Sequence, residues 1–393
     1  MVATKIKIAV LGTGTVGVIS VCHFLRYLTN SHVTCIHNPQ KNILGIGESS
    51  NIPLPRLLWD ALKFHPYRDS SSLDITMKHG VVFKNWRDQD FFSPIGTAQS
   101  AFHFNNLKLG EVIFDRCKQV YKDNFTELLG NVDKVNQDEN GVSVSVDNTI
   151  YRYDYVIDCR GYPEDYSEYT IADFLPLNTC FAYTIPQPGT WQHTDHVATK
   201  HGWMFGIPLS TRQGWGYLFN SSVTDESSAL ANLSEIFKTD IAKSDIKEFN
   251  FKPYRANQFL NGRIMKNGNR ALFYEPIEAL SGVFYDNVNR SFFDYITNFK
   301  TEDQVNTHLT DMAKRYENFI CFVYHGGSIY TTDFWQTTSE VTRQHLINNS
   351  VWNETVHAIR TNSEPSNFYQ AKWWPYVPSI WRYINQGWKY TYF

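Results

Sequence analysis

The spacing of apolar side chains divides the chain into unlike parts. Residues 5–11 (KIKIAVL) are a β-rich apolar run, an apolar-periodic segment follows to about Asn30, and HVTCIH (32–37) is a second short run. Two such runs around a helical segment predict a βαβ unit and hence a parallel sheet. Residues 101–121 (AFHFNNLKLGEVIFDRCKQVY) carry helical spacing. Glu139-Asn140-Gly141 makes a turn between LLGNVDKVNQD and the alternating VSVSV, which predicts a β-meander. YRYDYVIDCRG continues it as one strand ending at Asp158 and Gly161. Between 165 and 260, strand-like pieces (CFAYTI, GWGYLFNSS) alternate with one helix near 225–240, and from about 285 the pattern is mostly helical. No repeat, low-complexity tract or flexible linker appears, so any domains interweave. The expected division is 1–340 as an interleaved body and 341–393 as a mostly helical segment packed on it.

Composition narrows the partners. At 393 residues the chain can bury a substantial core. A formal charge of −3 with scattered Lys and Arg gives no reason to expect a nucleic acid or an acidic membrane. No stretch approaches a membrane span, and the lysines and apolar residues at the start, broken by glycines, read as a strand. Cys22, Cys35, Cys117, Cys159, Cys180 and Cys321 lie far apart without ligand spacing, so neither a metal site nor a disulfide framework is indicated and a cytoplasmic location fits. Aromatic residues reach 16%, and the final stretch NFYQAKWWPYVPSIWRYINQGWKYTYF is dense in them. Such side chains fill cores and also offer stacking faces to flat ligands.

The turn after the first strand carries chemistry. Gly12, Gly14 and Gly17 have dinucleotide spacing: the first permits the turn, the second lets a pyrophosphate approach the backbone, and the third lets helix and strand pack closely. Thr15, within the same turn, is a candidate cofactor-binding residue with them. The second strand should end in an acid for the ribose, yet it offers His37 and Asn38. GIGESS (45–50) and a later strand ending IDCRG are more than a nicotinamide site needs, and suggest a flavin dinucleotide held by several loops.

Several segments, in order, resemble the flavin-dependent halogenases, above all the tryptophan halogenase group. LGIGESS (Leu44 to Ser50) resembles the Gly-Glu-Ala-Thr flavin loop, with Gly47 and Glu48 kept and Ser49 and Ser50 replacing Ala-Thr. TMKHGVVFKNW resembles the segment of the active-site lysine, which falls on Lys78. HGWMFGIPLSTRQGWGYLF resembles Trp-x-Trp-x-Ile-Pro, keeping Trp203, Ile207 and Pro208 with Phe205 at the second tryptophan. GNRALFYEPIEALSG puts Asn269 at the flavin-binding aspartate and Glu278 at the catalytic glutamate, with one extra residue before Ser281. CFVYHGG and TTDFW have counterparts as well.

The resemblance implies an α/β fold: a flavin-monooxygenase-like FAD domain with a Rossmann-type sheet, an interleaved antiparallel substrate sheet and a helical C-terminal part. It implies reduced FAD from a separate flavin reductase, and a halide (chloride, bromide or iodide) turned into hypohalous acid that passes to a separate organic site. Lys78 would hold or carry the electrophile, and Glu278 would stabilise the arenium cation or take its proton. Trp203, Phe205, Ile207 and Pro208 would wall the substrate off from the flavin. Backbone N–H groups near Ser281 and Gly282 would hold the halide.

Departures modify this. The family's tryptophan halogenases sandwich indole with a His and a Phe in a Phe-Tyr-His-Pro-Phe-Gly type stretch, but FFSPIG here follows Phe92 with Ser93 and puts Ile95 at the second place. Losing two stacking faces, at roughly 1 kcal/mol each, predicts a small electron-rich aromatic substrate other than free tryptophan. Two rival classes stand beside the halogenase: a flavin monooxygenase that hydroxylates, and a flavin-binding protein without turnover.

Overall fold

The computed structural model describes residues 5–41, 45, 48–86, 90–95 and 101–348, and of Glu278 and Leu280 only the backbone. β1 (Ile6–Leu11) turns through glycines into α1 (Thr15–Tyr27) and returns as β2 (Ser31–His37), parallel to β1 from Ile6↔Ser31 to Leu11↔Ile36. α1 is buried on every side from Gly17 to Leu25, as befits a helix packed between a sheet and other helices. Next along the chain are β3 (Glu48–Ser49), α2 (Pro53–Leu62), β4 (Thr76–Lys78), β5 (Gly80–Lys84), β6 (Phe91–Pro94) and β7 (Ala101–Phe104). α3 (Asn106–Tyr121) starts where the Asn105 side chain caps it by accepting from the Leu107 N–H. β8 (Phe125–Leu129), β9 (Val132–Asp138), β10 (Gly141–Val146), β11 (Thr149–Tyr153) and β12 (Tyr155–Asp158) complete the first half.

Two expectations are corrected here. Residues 101–104 are a strand, not the first turn of a helix. All four are buried and pair with strands on both sides, which a helix could not do, and Asn105 ends the strand and caps the helix. YRYDYVIDCRG is two strands. Asp154 divides them: its backbone N–H donates to the Lys7 carbonyl and its carboxylate accepts from the Lys7 N–H. That exchange hands the chain from the β9–β10–β11 meander to the sheet of β1.

The second half runs β13 (Tyr169–Ile171), β14 (Thr179–Ile185), β15 (Thr194–Thr199), β16 (Gly202–Pro208), β17 (Gln213–Phe219) and α4 (Glu226–Phe237). β18 (Ile246–Asn250), β19 (Tyr254–Ala256), β20 (Leu260–Asn261), β21 (Ile264–Lys266) and β22 (Leu272–Phe273) lead to α5 (Leu280–Ile296), α6 (Glu302–Gly326) and α7 (Asp333–Ile347). Asp225 caps α4, and Thr301 with Gln304 forms a reciprocal capping box on α6. The aromatic-dense final stretch lies outside the described residues.

The strand order of the first sheet is β20-β21-β12-β1-β2-β8, parallel except at β20. The second, β18-β14-β17-β16-β15-β5-β6, is antiparallel except where β15 runs beside β5. Chain segments alternate between them, so the two sheets interleave. A third sheet of only three strands, β3-β7-β4, joins them. Its register sets Ser49 opposite His103 and His103 opposite Thr76, with Lys78 two residues along from Thr76. A period of two puts these four residues on one face, while Phe102 and Met77 enter the main core from the other.

Because Phe102 fills the core behind this small sheet, Phe102→Ala should cost about 3–5 kcal/mol in urea unfolding. A loss under about 1 kcal/mol would mean that the sheet is not anchored there.

Candidate active site

One cavity of about 630 Å³ extends from the glycine turn to Lys78. At the turn the three glycines have separate duties. Gly12 sits at φ 102°, and a Cβ there would come within 2.9 Å of the Cys159 carbonyl oxygen. A Cβ on Gly17 would lie 2.0 Å from the Gly12 carbonyl oxygen, so helix and turn can touch only through glycine. Gly14, the residue before α1, has no atom within 4 Å of where a Cβ would stand, and neither has Gly161 across the cavity at φ 88°. Bare main chain at a helix N-terminus is the cradle that a pyrophosphate requires, so these residues fit a dinucleotide.

The acid nearest the end of β2 is Glu127, which does not line the cavity and is taken up by other partners. His37 Nε2 is 2.8 Å from Glu127 Oε1 on the adjoining β8, and Lys118 holds the other Glu127 oxygen at 2.7 Å. The cavity wall there is His37, Asn38, Lys41 and Asn131. Asn269 also lines the cavity, with its side-chain oxygen accepting from the Tyr285 hydroxyl at 3.1 Å. At the end of β12, burial works to raise the Asp158 carboxyl, but Arg160 and Arg270 outweigh it and hold it below the usual carboxylate range.

From β3 to β7 the wall becomes polar, with Lys78 and His103 buried and Glu48 and Ser49 half-buried. Glu48 accepts from the Asn106 amide at 3.0 Å, and burial pushes its carboxyl up against that bond. Ser50 faces the other way: its hydroxyl accepts from the Phe102 N–H at 2.9 Å and holds β7 in place. Lys78 is only 1% exposed, and its Nζ donates to Ser49 Oγ at 2.7 Å. Beyond Ser49 lie Thr194 Oγ1 at 3.3 Å and, from Thr194, His103 Nε2 at 2.9 Å. Burial, and then the charge of Lys78, hold both His103 and His196 well below an ordinary imidazole, so both are neutral.

The apolar wall comes from the second sheet. Phe205 and Ile207 line the cavity from β16, with Phe249, Phe251 and Phe273 at another side. Trp203 and Pro208 are not among the lining residues. Trp203 is fully buried one layer behind, its indole N–H donating to the Tyr324 hydroxyl at 2.7 Å. Pro208 serves through its carbonyl, which accepts from Thr76 Oγ1 at 2.6 Å. Phe92, Ser93 and Ile95 lie on or just after the edge strand β6 and do not line the cavity either; Phe92 is 39% exposed, its ring against Gly80. Ser281 and Gly282 line the cavity in the first turn of α5, as the halide reading requires of position. Gly47 lies outside the described residues, and the Glu278 side chain is likewise not described; its backbone belongs to a short turn of helix ahead of α5.

Sequence reasoning overlooked three polar residues. Thr194 and His196 stand on β15, in a segment with no motif, and each lines the cavity. Glu275, three residues before Glu278, is 3% exposed and also lines it. Its Oε2 accepts from the Tyr324 hydroxyl at 2.8 Å, and its Oε1 has no hydrogen-bond partner among the described residues. The only available signal was that YEPIE holds a second acid three residues ahead of the one the motif picks out.

Burial pushes the Glu275 carboxyl from its ordinary 4.5 up to about 8, against the pull of the Tyr324 hydroxyl. Between those values the folded chain keeps a proton that the unfolded chain has released, so stability falls as pH rises through that window. Glu275→Gln should remove this group's share of the slope, up to ~1.4 kcal/mol per pH unit, when urea unfolding is followed across the window. An unchanged slope would mean that Glu275 is ionised in the fold.

Comparison with known proteins comes to the same fold. The tryptophan halogenase family profile matches residues 7–100 and 87–390. Tryptophan 7-halogenase RebH of Lentzea aerocolonigenes is 23% identical over 245 residues, covering 55% of this chain and 45% of that protein. Tryptophan 6-halogenase ThaL of Streptomyces albogriseolus is 21% identical over 343 residues, covering 80% of this chain and 62% of that protein. The matches thus span 45% and 62% of the length of these two relatives. BrvH, a flavin-dependent halogenase from Brevundimonas sp. BAL3, superposes with a TM-score of 0.81 at 16% identity, over 98% of this chain and 90% of that one. The fold is that of the flavin-dependent halogenases, and with the profile running through nearly all of the sequence, the chain belongs to the tryptophan halogenase family.

Proposed function

We propose that the chain is a flavin-dependent halogenase in which Lys78 passes the halogen to an electron-rich aromatic substrate other than free tryptophan. The observation that carries this reading is the burial of Lys78 in the wall of the cavity that begins at Gly12–Gly17. A buried ammonium is costly, and a chain that maintains one in a cleft has a use for it. Gly12, Gly14, Thr15, Glu48 and Asn269 would hold FAD, and Gly47 of the flavin loop would do so with them. Reduced FAD, supplied by a separate flavin reductase, provides hypohalous acid from oxygen and halide.

The protein's own groups do the rest. As a neutral amine, Lys78 attacks the halogen of hypohalous acid; hydroxide leaves and takes a proton from the nitrogen, giving an N-haloamine and water. The substrate ring takes the halogen from that nitrogen, and the ring proton goes by way of Glu278 to the lysine nitrogen. The Ser281 and Gly282 N–H groups, in the open first turn of α5, would hold the halide. Phe205 and Ile207 form an apolar face on which an aromatic ring can rest, and they keep it off the flavin. Neutral His196 adds no second positive charge to repel the electrophile. With Ser93 and Ile95 at the two places, this segment does not supply the His–Phe pair that would clamp free indole.

The test is purified protein with FAD, a flavin reductase and NADH, given chloride, bromide and iodide in turn, with mass spectrometry on phenols, anilines, indoles and free tryptophan. Halide-dependent halogenation of a panel member, with tryptophan the poorer substrate, is the expected result. Lys78→Ala should lower it on the order of 10³-fold while FAD binding persists. Oxygenated product that needs no halide and survives Lys78→Ala would make the protein a hydroxylase.

A further inference from the structure

We propose that Ser49, Thr194 and His103 form a proton relay for Lys78, with His103 Nε2 as the acceptor that takes the ammonium proton before halogenation and returns it afterwards. The proposal rests on the halogen-carrying role of Lys78 argued above.

Hydrogen counting gives the chain its direction. Thr76 has one hydroxyl hydrogen, and it goes to the Pro208 carbonyl at 2.6 Å. Thr76 Oγ1 can therefore only accept from His103 Nδ1, 3.1 Å away, so a neutral His103 carries its hydrogen on Nδ1. Its Nε2 is then bare and accepts from Thr194 Oγ1 at 2.9 Å. Thr194 has spent its hydrogen, so at 3.3 Å it accepts from Ser49 Oγ. Ser49 in turn accepts from Lys78 Nζ at 2.7 Å. Every hydroxyl points from Lys78 toward His103.

The chain has a second complete state. If Lys78 gives a proton to Ser49, Ser49 gives its own to Thr194, and Thr194 gives its own to His103 Nε2, the result is a neutral amine and an imidazolium. Each hydroxyl has then turned round, and Ser49 donates to the Lys78 lone pair. No hydrogen is lost, and one positive charge stays in the site throughout, so the swap adds no net charge to it. Burial is the first reason that His103 is neutral and the charge of Lys78 the second, and the second vanishes as the proton leaves. The neutral amine then reacts with hypohalous acid to give the N-haloamine and water. Transfer of the halogen to the ring restores the amine, and the proton returns from His103. Summed, the substrate C–H and hypohalous acid become C–halogen and water.

Ser49 is what makes the relay particular to this chain. Where the family's flavin loop has alanine, a methyl group would leave Lys78 Nζ without this hydroxyl and break the link to Thr194. The titratable groups facing His103 are Lys78 on β4 and His193 ahead of β15, and His196 faces Lys78.

Dilute hypochlorite added to the protein without flavin tests the relay directly, with chlorination of Lys78 read by peptide mass spectrometry from about pH 6 to about pH 9. Surface lysines in the same sample serve as the reference. In the parent protein Lys78 should outpace them most at the low-pH end, where they remain ammonium. In Ser49→Ala, the residue of the family's own loop, the low-pH rate should fall on the order of 10²-fold and recover as pH rises. His103→Gln should do the same. Nitrogen NMR of histidine-labelled parent protein should find His103 with its proton on Nδ1. A Ser49→Ala profile that matches the parent, or a proton on Nε2 of neutral His103, overturns the relay. Halogenation that survives Lys78→Ala would instead sink the function itself, so the two failures are distinct.

Discussion

An ammonium buried to 1% exposure is the constraint to which the rest of the molecule answers. Removing such a charge from water costs several kcal/mol unless polar groups replace the hydration it loses. The chain supplies one of those groups, Ser49, from a two-residue strand, and secures that strand through β7 to the strand that bears Lys78. Strands so short have little stability alone. They persist because Phe102 and Met77 on their far face are part of the main core, so the polar face is held in place by apolar packing behind it.

That small sheet also explains why the two large sheets interleave. β5 leaves it to enter the second sheet, pairing there with β15, and α3 leaves it to return the chain to the first sheet at β8. Thr194 at the start of β15 therefore arrives beside Ser49, although 145 residues separate them in sequence. A second tie lies deeper, where Trp203 on β16, Tyr324 on α6 and Glu275 form a chain of hydrogen bonds of 2.7 and 2.8 Å. His103 in the first chain, Glu275 in the second and the neighbouring His196 are all uncharged at neutral pH. With these neighbours neutral, Lys78 keeps its influence over the cavity, since charge in a low-dielectric site is felt strongly.

Local features were the most legible in sequence. The βαβ opening, the meander turn at Asn140-Gly141 and the helix at 226–237 depend on neighbouring residues, and periodicity reports those well. Residues 101–104 misled because a fully buried strand leading into a helix shows no alternation, so its apolar residues merge with the helical pattern that follows. Asp154 misled for another reason: its partner is Lys7, nearly the whole first half away. In the cavity, Lys78 could be picked out because a motif surrounds it, whereas Thr194, His196 and Glu275 belong to it only through sheet register and burial, which no local pattern encodes. Trp203 shows the converse. Its motif is kept, but the side chain is spent on Tyr324 one layer behind the wall, leaving Phe205 and Ile207 to face the cavity.

Ser49 and Ser50 were visible from the start as replacements in a recognisable loop, yet what they do could not be read there. Ser50 turns to the main chain and holds β7. Ser49, one residue earlier and therefore on the opposite face, turns to Lys78. A hydroxyl added to a half-buried wall costs least where it finds an acceptor. Thr194 can be that acceptor because its own hydrogen goes to His103, the direction set by the bond from Thr76 to Pro208. The direction in which one serine bonds thus follows from a carbonyl four hydrogen bonds away.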